Sequence, residues 1–245
     1  MKIVEPFPHL LHATHDINPP RSITSSVFHK LRKAILVGQF EPSQRLSAGH
    51  LSEQYKISLG AVREALARLA AEGLVESQDH RGFRVAGISK EELLDLTQTR
   101  INVESLALRL SIEQGDQAWL DNASAAYQAM RQAYSTPFVE AEHRSALHLF
   151  FHMALLEGCN SQCLMRFCTT MFERAERYRK LSAAYAKSNR DVEGEHEIIF
   201  NAVMNRDADT AIAALSQHIQ ETTNAVLQAE SESSVSIFEL HSAKK

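Results

Sequence analysis

Ile57-Ser58-Leu59-Gly60-Ala61-Val62-Arg63-Glu64-Ala65-Leu66-Ala67-Arg68-Leu69 is the stretch whose reading decides the fold. Ser58 is a good N-cap, because its hydroxyl accepts a hydrogen bond from the free amides of a first helical turn. Val62, Ala65, Leu66 and Leu69 follow at i, i+3, i+4 and i+7, the stripe of a helix with one buried face. Gly73 then fits the left-handed position that ends a helix. Upstream, Leu46, Leu51 and Tyr55 predict a shorter helix, with Lys56-Ile57 as the tight turn between the two. Downstream, 74–77 and 82–86 alternate as short strands around a basic tip, Gln78-Asp79-His80-Arg81-Gly82. The whole is a winged helix-turn-helix, which presents one helix to a DNA major groove.

Charge supports this. The 245 residues sum to −4, yet 21–86 hold ten Lys/Arg against six acids, so this segment carries +4 and the remainder −8. A basic N-terminal module on an acidic remainder confines phosphate contacts to one end. No run approaches the ~20 apolar residues of a membrane span, and the opening residues do not read as a secretory signal. Three cysteines, an odd number, suit a reducing cytoplasm better than a disulfide framework.

Residues 1–20, with Pro6, Pro8, Pro19 and Pro20, read as a disordered arm. Val27, Leu31, Ala34 and Ile35 predict a helix over 24–37. The DNA-binding module is thus 21–87. Ser89-Lys90-Glu91-Glu92 is a capping box, from which a long helix should run over 90–113. Helical periodicity continues over 117–134, 139–157, 162–187, 192–205 and 208–230, with no strand pattern beyond the wing. The fold class is mainly α: an N-terminal winged helix-turn-helix and, over 88–232, an all-helical bundle. Residues 233–245 form a tail in which Val235, Ile237, Phe238 and Leu240 could pack.

On these motifs the sequence resembles the GntR family of transcriptional regulators, in its FadR subfamily, with an FCD-type helical ligand domain. The N-terminal resemblance rests on Ala34-Ile35-Leu36-Val37-Gly38, Ser58 followed by Val62-Arg63-Glu64-Ala65-Leu66, Leu69 to Val75, and Gly82-Phe83-Arg84-Val85. The C-terminal one rests on Arg100-x3-Glu104, Phe151-His152, Asn160, Glu195-His196 and His218. Leu59 and Ala61 depart from an Arg and a Pro common in relatives, so one expected base or phosphate contact is missing. His148 stands where the family places an aspartate.

For DNA, the candidates are Arg32, Ser58, Gly60, Arg63, His80, Arg81 and Gly82. Ser58 and the helix-start amides can hold a phosphate, and Arg63 can read guanine or clamp phosphate. For metal, His148 and His152 lie four apart on one helical face, and the resemblance adds His196 and His218. Imidazoles suit zinc, nickel or another divalent transition ion. For an effector, the resemblance places Arg100 at the ligand, and Arg177 with Tyr178 offers a further carboxylate clamp. Glu104, Glu173 and Glu176 are equally available partners for these arginines.

The function expected is a cytoplasmic, homodimeric, sequence-specific repressor released by a small carboxylate. Gly158-Cys159-Asn160-Ser161, with Arg177-Tyr178-Arg179 and His148, is similar to regulators of glutarate and related dicarboxylate catabolism. Two alternatives stand beside it. One is a metal-dependent hydrolase fused to a DNA-binding domain, against which the His148/His152 pair lacks the glutamate of H-E-x-x-H. The other is a constitutive DNA binder with an inert bundle.

Overall fold

The computed structural model describes residues 22–78, 82–182, 190–233 and 238. They divide into two compact units, one built from 95–172 and 190–224, the other from 22–78, 82–94, 173–182, 225–233 and 238.

In the second unit, α1 (Ile23–Leu36) starts at Ser22, whose hydroxyl accepts the Ser25 amide at 3.1 Å. Strand β1 (Arg45–Leu46) leads to α2 (Ala48–Tyr55), capped by Ser47. Lys56 makes the turn in a left-handed conformation, φ 54°. Helix α3 (Leu59–Ala71) begins at Ser58, which accepts the Ala61 amide at 3.2 Å. Gly73, at φ +72°, closes it by donating to Ala70.

Strands β2 (Val75–Gln78) and β3 (Gly82–Val85) pair antiparallel, with Gln78 opposite Gly82. The sequence predicts two strands, but the sheet has three, in the order β1-β3-β2. Arg45 pairs with Arg84 and Leu46 with Phe83. Two residues are too few to show alternation, so β1 exists only through its pairing. Phe28, Leu31, Ile35, Leu51, Val62, Leu66, Leu69, Val75 and Val85 form the core beneath α3. Fully burying one such leucine contributes about 1.5–3 kcal/mol.

Helix α4 (Lys90–Gln114) starts with half of the predicted capping box. Glu92 donates its amide to the Ser89 hydroxyl at 3.0 Å. The reciprocal arm is taken over by Tyr178: its hydroxyl accepts the Ser89 amide at 3.3 Å and donates to Glu92 at 2.6 Å. Glu92 also takes a bond from Arg174, so its carboxylate is withdrawn from Ser89.

The first unit is helical: α5 (Gln117–Ser135), α6 (Ala141–Leu156) with a 3-10 turn at Glu157–Cys159, α7 (Gln162–Ser182), α8 (Val192–Met204) and α9 (Ala208–Glu232) supply it, together with most of α4. Helix α7 contributes 162–172 here and 173–182 to the other unit. Helix α6 starts two residues later than the periodicity predicts, with Glu140 at its N-cap. Leu108, Phe151, Leu155, Ile199, Leu215 and Ile219 are the fully buried centre.

The Trp119 indole donates to the Ala154 carbonyl at 2.9 Å. It lies across two glycines: a Cβ on Gly115 would fall 2.2 Å from the ring, and one on Gly158 2.9 Å. Among the described residues no helix is long and apolar enough to cross a membrane. The part of the predicted 162–187 helix beyond 182, and Val235, Ile237 and Leu240 of the tail, lie outside the described residues. Phe238 packs its ring 6.3 Å from that of Tyr178.

Candidate functional site

The outer face of α3 carries Ser58, Gly60 and Arg63, all exposed, while Val62, Ala65, Leu66 and Leu69 face inward. A Cβ on Gly60 would meet nothing within 4 Å, so a ligand backbone can approach closely there. Gly82 opens β3 at φ +89°, which suits a tight wing tip. His80 and Arg81 lie outside the described residues. Two further cations belong to this picture. Arg45 is exposed on β1 beside the wing, a position that sequence reading could not place without the third strand. Lys56 is exposed at the turn before α3.

Arg32 is not presented to DNA. It is 8 % exposed, and its guanidinium donates to Glu72 at 2.7 Å and to both oxygens of Glu173, one at 2.9 Å. Its partners lie 40 and 141 residues away, so no local pattern announces them. Burial pulls its pKa down, but the two carboxylates outweigh it and raise the pKa, so Arg32 stays charged. Arg68 is also occupied, 4.1 Å above the Phe28 ring.

In the helical unit the four histidines converge. His148 and His152 come from successive turns of α6, His196 from α8 and His218 from α9, and all are buried. One nitrogen from each falls within 4.8 Å of every other. The Nε2 atoms of His148, His152 and His196 form a triangle with sides 3.1, 3.1 and 3.3 Å. Around a tetrahedral ion with metal–nitrogen bonds of 2.0–2.1 Å, neighbouring ligand nitrogens lie about 3.3–3.4 Å apart. The triangle is nearly that face.

Protonation agrees with a ligand role. Burial, reinforced by the neighbouring imidazoles, holds His152 well below the usual histidine range. Burial, with His218 beside it, brings His196 down to about 3. His218 is lowered as well, by burial working against its bond to Glu195. Neutral imidazoles are what a metal needs.

A support for His218 was missed at the sequence level. Glu195 accepts from His218 Nδ1 at 2.8 Å, which leaves Nε2 as the lone-pair nitrogen. Arg190 also lies 3.2 Å from Nδ1, but guanidinium only donates, so its hydrogens go to Glu195 and the His218 carbonyl. Burial pulls the Glu195 carboxyl up, yet the bonds from His218 and Arg190 outweigh it and hold it at about 2. Cys168 is no competing ligand, since burial and Glu104 push its thiol up to about 12.

Arg100 is buried in this unit and donates to Glu104 at 2.7 Å. Its guanidinium lies 5.0 Å from the Phe172 ring, and that ring packs against His148 at 5.4 Å and His152 at 5.2 Å. Arg177 and Tyr178 belong to the other unit: Arg177 donates to the Ala86 carbonyl and Tyr178 to Glu92. Both are buried there, and the geometry gives them a structural occupation rather than an open clamp.

Comparison with known proteins covers both parts of the chain. Residues 23–85 match the family described as bacterial regulatory proteins, gntR family, and residues 95–221 match the FCD domain. The chain belongs to the GntR family. It is 34 % identical over 217 residues to the HTH-type transcriptional regulator BphR of Paraburkholderia xenovorans, covering 85 % of this chain and 86 % of that protein. It is 30 % identical over 195 residues to the HTH-type transcriptional repressor GlaR of Escherichia coli, covering 77 % and 89 %. The solved structure of Escherichia coli McbR/YncC shares the fold, with a TM-score of 0.71 at 21 % identity over 84 % of this chain and 98 % of that one. GntR-family proteins of this type are DNA-binding transcriptional regulators and not enzymes, so the hydrolase alternative falls away.

Proposed function

We propose that this GntR regulator is a homodimeric, cytoplasmic repressor whose operator affinity falls when a small carboxylate enters the helical unit. In this reading, 21–87 bind DNA and 88–232 bind the effector and dimerise. Ser58, Gly60 and Arg63 face the operator, and the wing residues His80, Arg81 and Gly82 are further DNA contacts in this reading. One winged domain per chain reads one half-site, so a pseudo-palindrome needs two chains.

The histidine triangle is the observation that carries the effector reading. His148, His152, His196 and His218 would hold a divalent transition ion, zinc or nickel. Bound there among uncharged donors, it would supply a Lewis-acid anchor for a carboxylate. Glu195 keeps the His218 tautomer fixed, and Arg100 stands near enough, through Phe172, to respond to an anion beside the imidazoles. The proposed effector is glutarate or a related five-carbon dicarboxylate.

Elemental analysis of purified protein, with and without chelator, tests the metal. Gel shifts with increasing glutarate test the effector. A metal-free protein whose operator complex is indifferent to dicarboxylates overturns the reading, and a monomer on and off DNA overturns its assembly.

A further inference from the structure

Helix α6 carries a third polar residue on the face that holds two of the histidines. Arg144, His148 and His152 follow one another at intervals of four, so they lie along one side of the helix. Arg144 and His148 are displaced by about one turn, ~6 Å along the axis.

The Arg144 side chain is half-buried, and its nitrogens meet different surroundings. Nη2 donates to the Thr136 carbonyl at 3.3 Å, just past the ordinary range for such a bond. Nε is shut off from solvent and has no acceptor. Among the described residues the Thr136 carbonyl is the one acceptor this guanidinium has.

Other enclosed arginines of the chain are treated differently. Arg32, Arg100 and Arg190 each donate through Nε to a carboxylate, at 2.7, 2.7 and 2.6 Å. A buried N–H without an acceptor is rare in a folded protein and needs a reason. Capping of α5 does not supply it. The Arg131 and Gln132 carbonyls in the last turn of α5 are already taken by the Ser135 and Thr136 hydroxyls. The Thr136 carbonyl belongs to an exposed residue, so water can serve it as well as an arginine.

The Nε–H and one Nη2–H lie along a single edge of the guanidinium, the edge that takes both oxygens of a carboxylate. An acceptor for that edge must arrive with a ligand, and a charged donor favours an anion. The histidines one turn away are the proposed seat of one carboxylate. Two anchors at this separation suit a ligand with two acid groups. In an extended five-carbon diacid the carboxyl carbons stand about 5 Å apart, across four C–C bonds of ~1.5 Å in a zigzag. A monocarboxylate would occupy the histidine end and leave the Arg144 Nε–H unmet.

We infer that Arg144 holds the far carboxylate of the effector through Nε–H and Nη2–H, and so selects dicarboxylates over monocarboxylates. This rests on the carboxylate reading given above and adds the residue that recognises the second acid group.

Calorimetry on the full chain tests it, with glutarate and pentanoate as five-carbon probes that differ by one carboxylate. Wild type is expected to bind glutarate more tightly than pentanoate. Arg144→Met should weaken glutarate by roughly ten- to a hundredfold, the range for a hydrogen bond to a charged group, and leave pentanoate unchanged. Arg144→Lys keeps the charge but not the paired donors, and should fall between. Thermal melts of ligand-free Arg144→Met separate binding from folding. A residue with an unmet buried N–H contributes little to the fold, so its Tm should hold or rise. Full glutarate affinity in Arg144→Met, equal loss for both probes, or a clearly lowered ligand-free Tm overturns this assignment alone. Failure of both probes to bind wild type overturns the carboxylate reading, and this inference with it.

Discussion

Arg32 on α1 and Glu173 on α7 are joined by two hydrogen bonds from one guanidinium to one carboxylate, in a buried setting. The same guanidinium reaches Glu72 just past the end of α3. Removing the cation would leave two carboxylates facing each other with little water. Arg32→Ala is therefore expected to destabilise the fold by about 3–5 kcal/mol, the range for stripping one partner from a buried pair. Glu173→Gln keeps the shape and one acceptor, so about 1–3 kcal/mol is expected. Urea unfolding measures both, and equal midpoints for wild type and Arg32→Ala would show that the pair carries no net stability.

Arg63 points outward from α3 with no core to serve. Arg63→Ala should leave the unfolding midpoint in place and weaken operator binding by about 1–3 kcal/mol if it reads a base. Gel shifts at several salt concentrations separate the cases. Uniform weakening across sequences, with a salt slope smaller by about one, would mean a phosphate contact instead.

Glu195 holds the His218 ring by its Nδ1. Glu195→Gln keeps an acceptor but loses the charge, and Glu195→Ala loses both. Outer partners of metal-bound histidines typically set 10–100-fold in affinity, so a loss of about that size is expected for Glu195→Ala. Competition with a chromophoric chelator gives the number. Unaltered metal retention would leave Glu195 as a purely structural partner of Arg190.

Acid should loosen the chelator-treated protein earlier than carboxylate titration alone predicts. The folded pKa of His196 is about 3 against 6.5 for the free side chain. The unfolded chain therefore binds a proton that the fold refuses, and stability is fully present above pH 6.5 and lost as pH falls toward 3. The slope is up to about 1.4 kcal/mol per pH unit for one such group. Glu195, at about 2 when folded, adds loss of the same sign below its ordinary value of 4.5. Thermal melts between pH 7 and 5 check the histidine part. A flat Tm across that interval would mean that the imidazoles titrate normally.

Much of the fold was legible because its signals are local. Ser58 caps the helix that follows it, and the periodicity gives α5 as 117–134 where the structure has Gln117–Ser135. The convergence of the histidines was legible in part, since a spacing of four fixes His148 over His152. What escaped is non-local. Strand β1 has no pattern of its own, Tyr178 takes half of a capping box 86 residues away, and Arg32 looks like a surface cation until Glu173 arrives from α7. The Glu195 support of His218 spans 23 residues and two helices.

The Trp119 indole pressed against Gly115 and Gly158 has an evolutionary corollary. Neither glycine can acquire even a methyl group while the indole stays, so each is frozen by a residue elsewhere in the chain. Exchanging Trp119 for a smaller side chain releases neither, because the Ser111 carbonyl lies 2.5 Å from a Cβ on Gly115 and 2.9 Å from one on Gly158, and it leaves the Ala154 carbonyl in need of another donor. Across relatives, positions 115 and 158 should therefore stay glycine even where the residue at 119 changes.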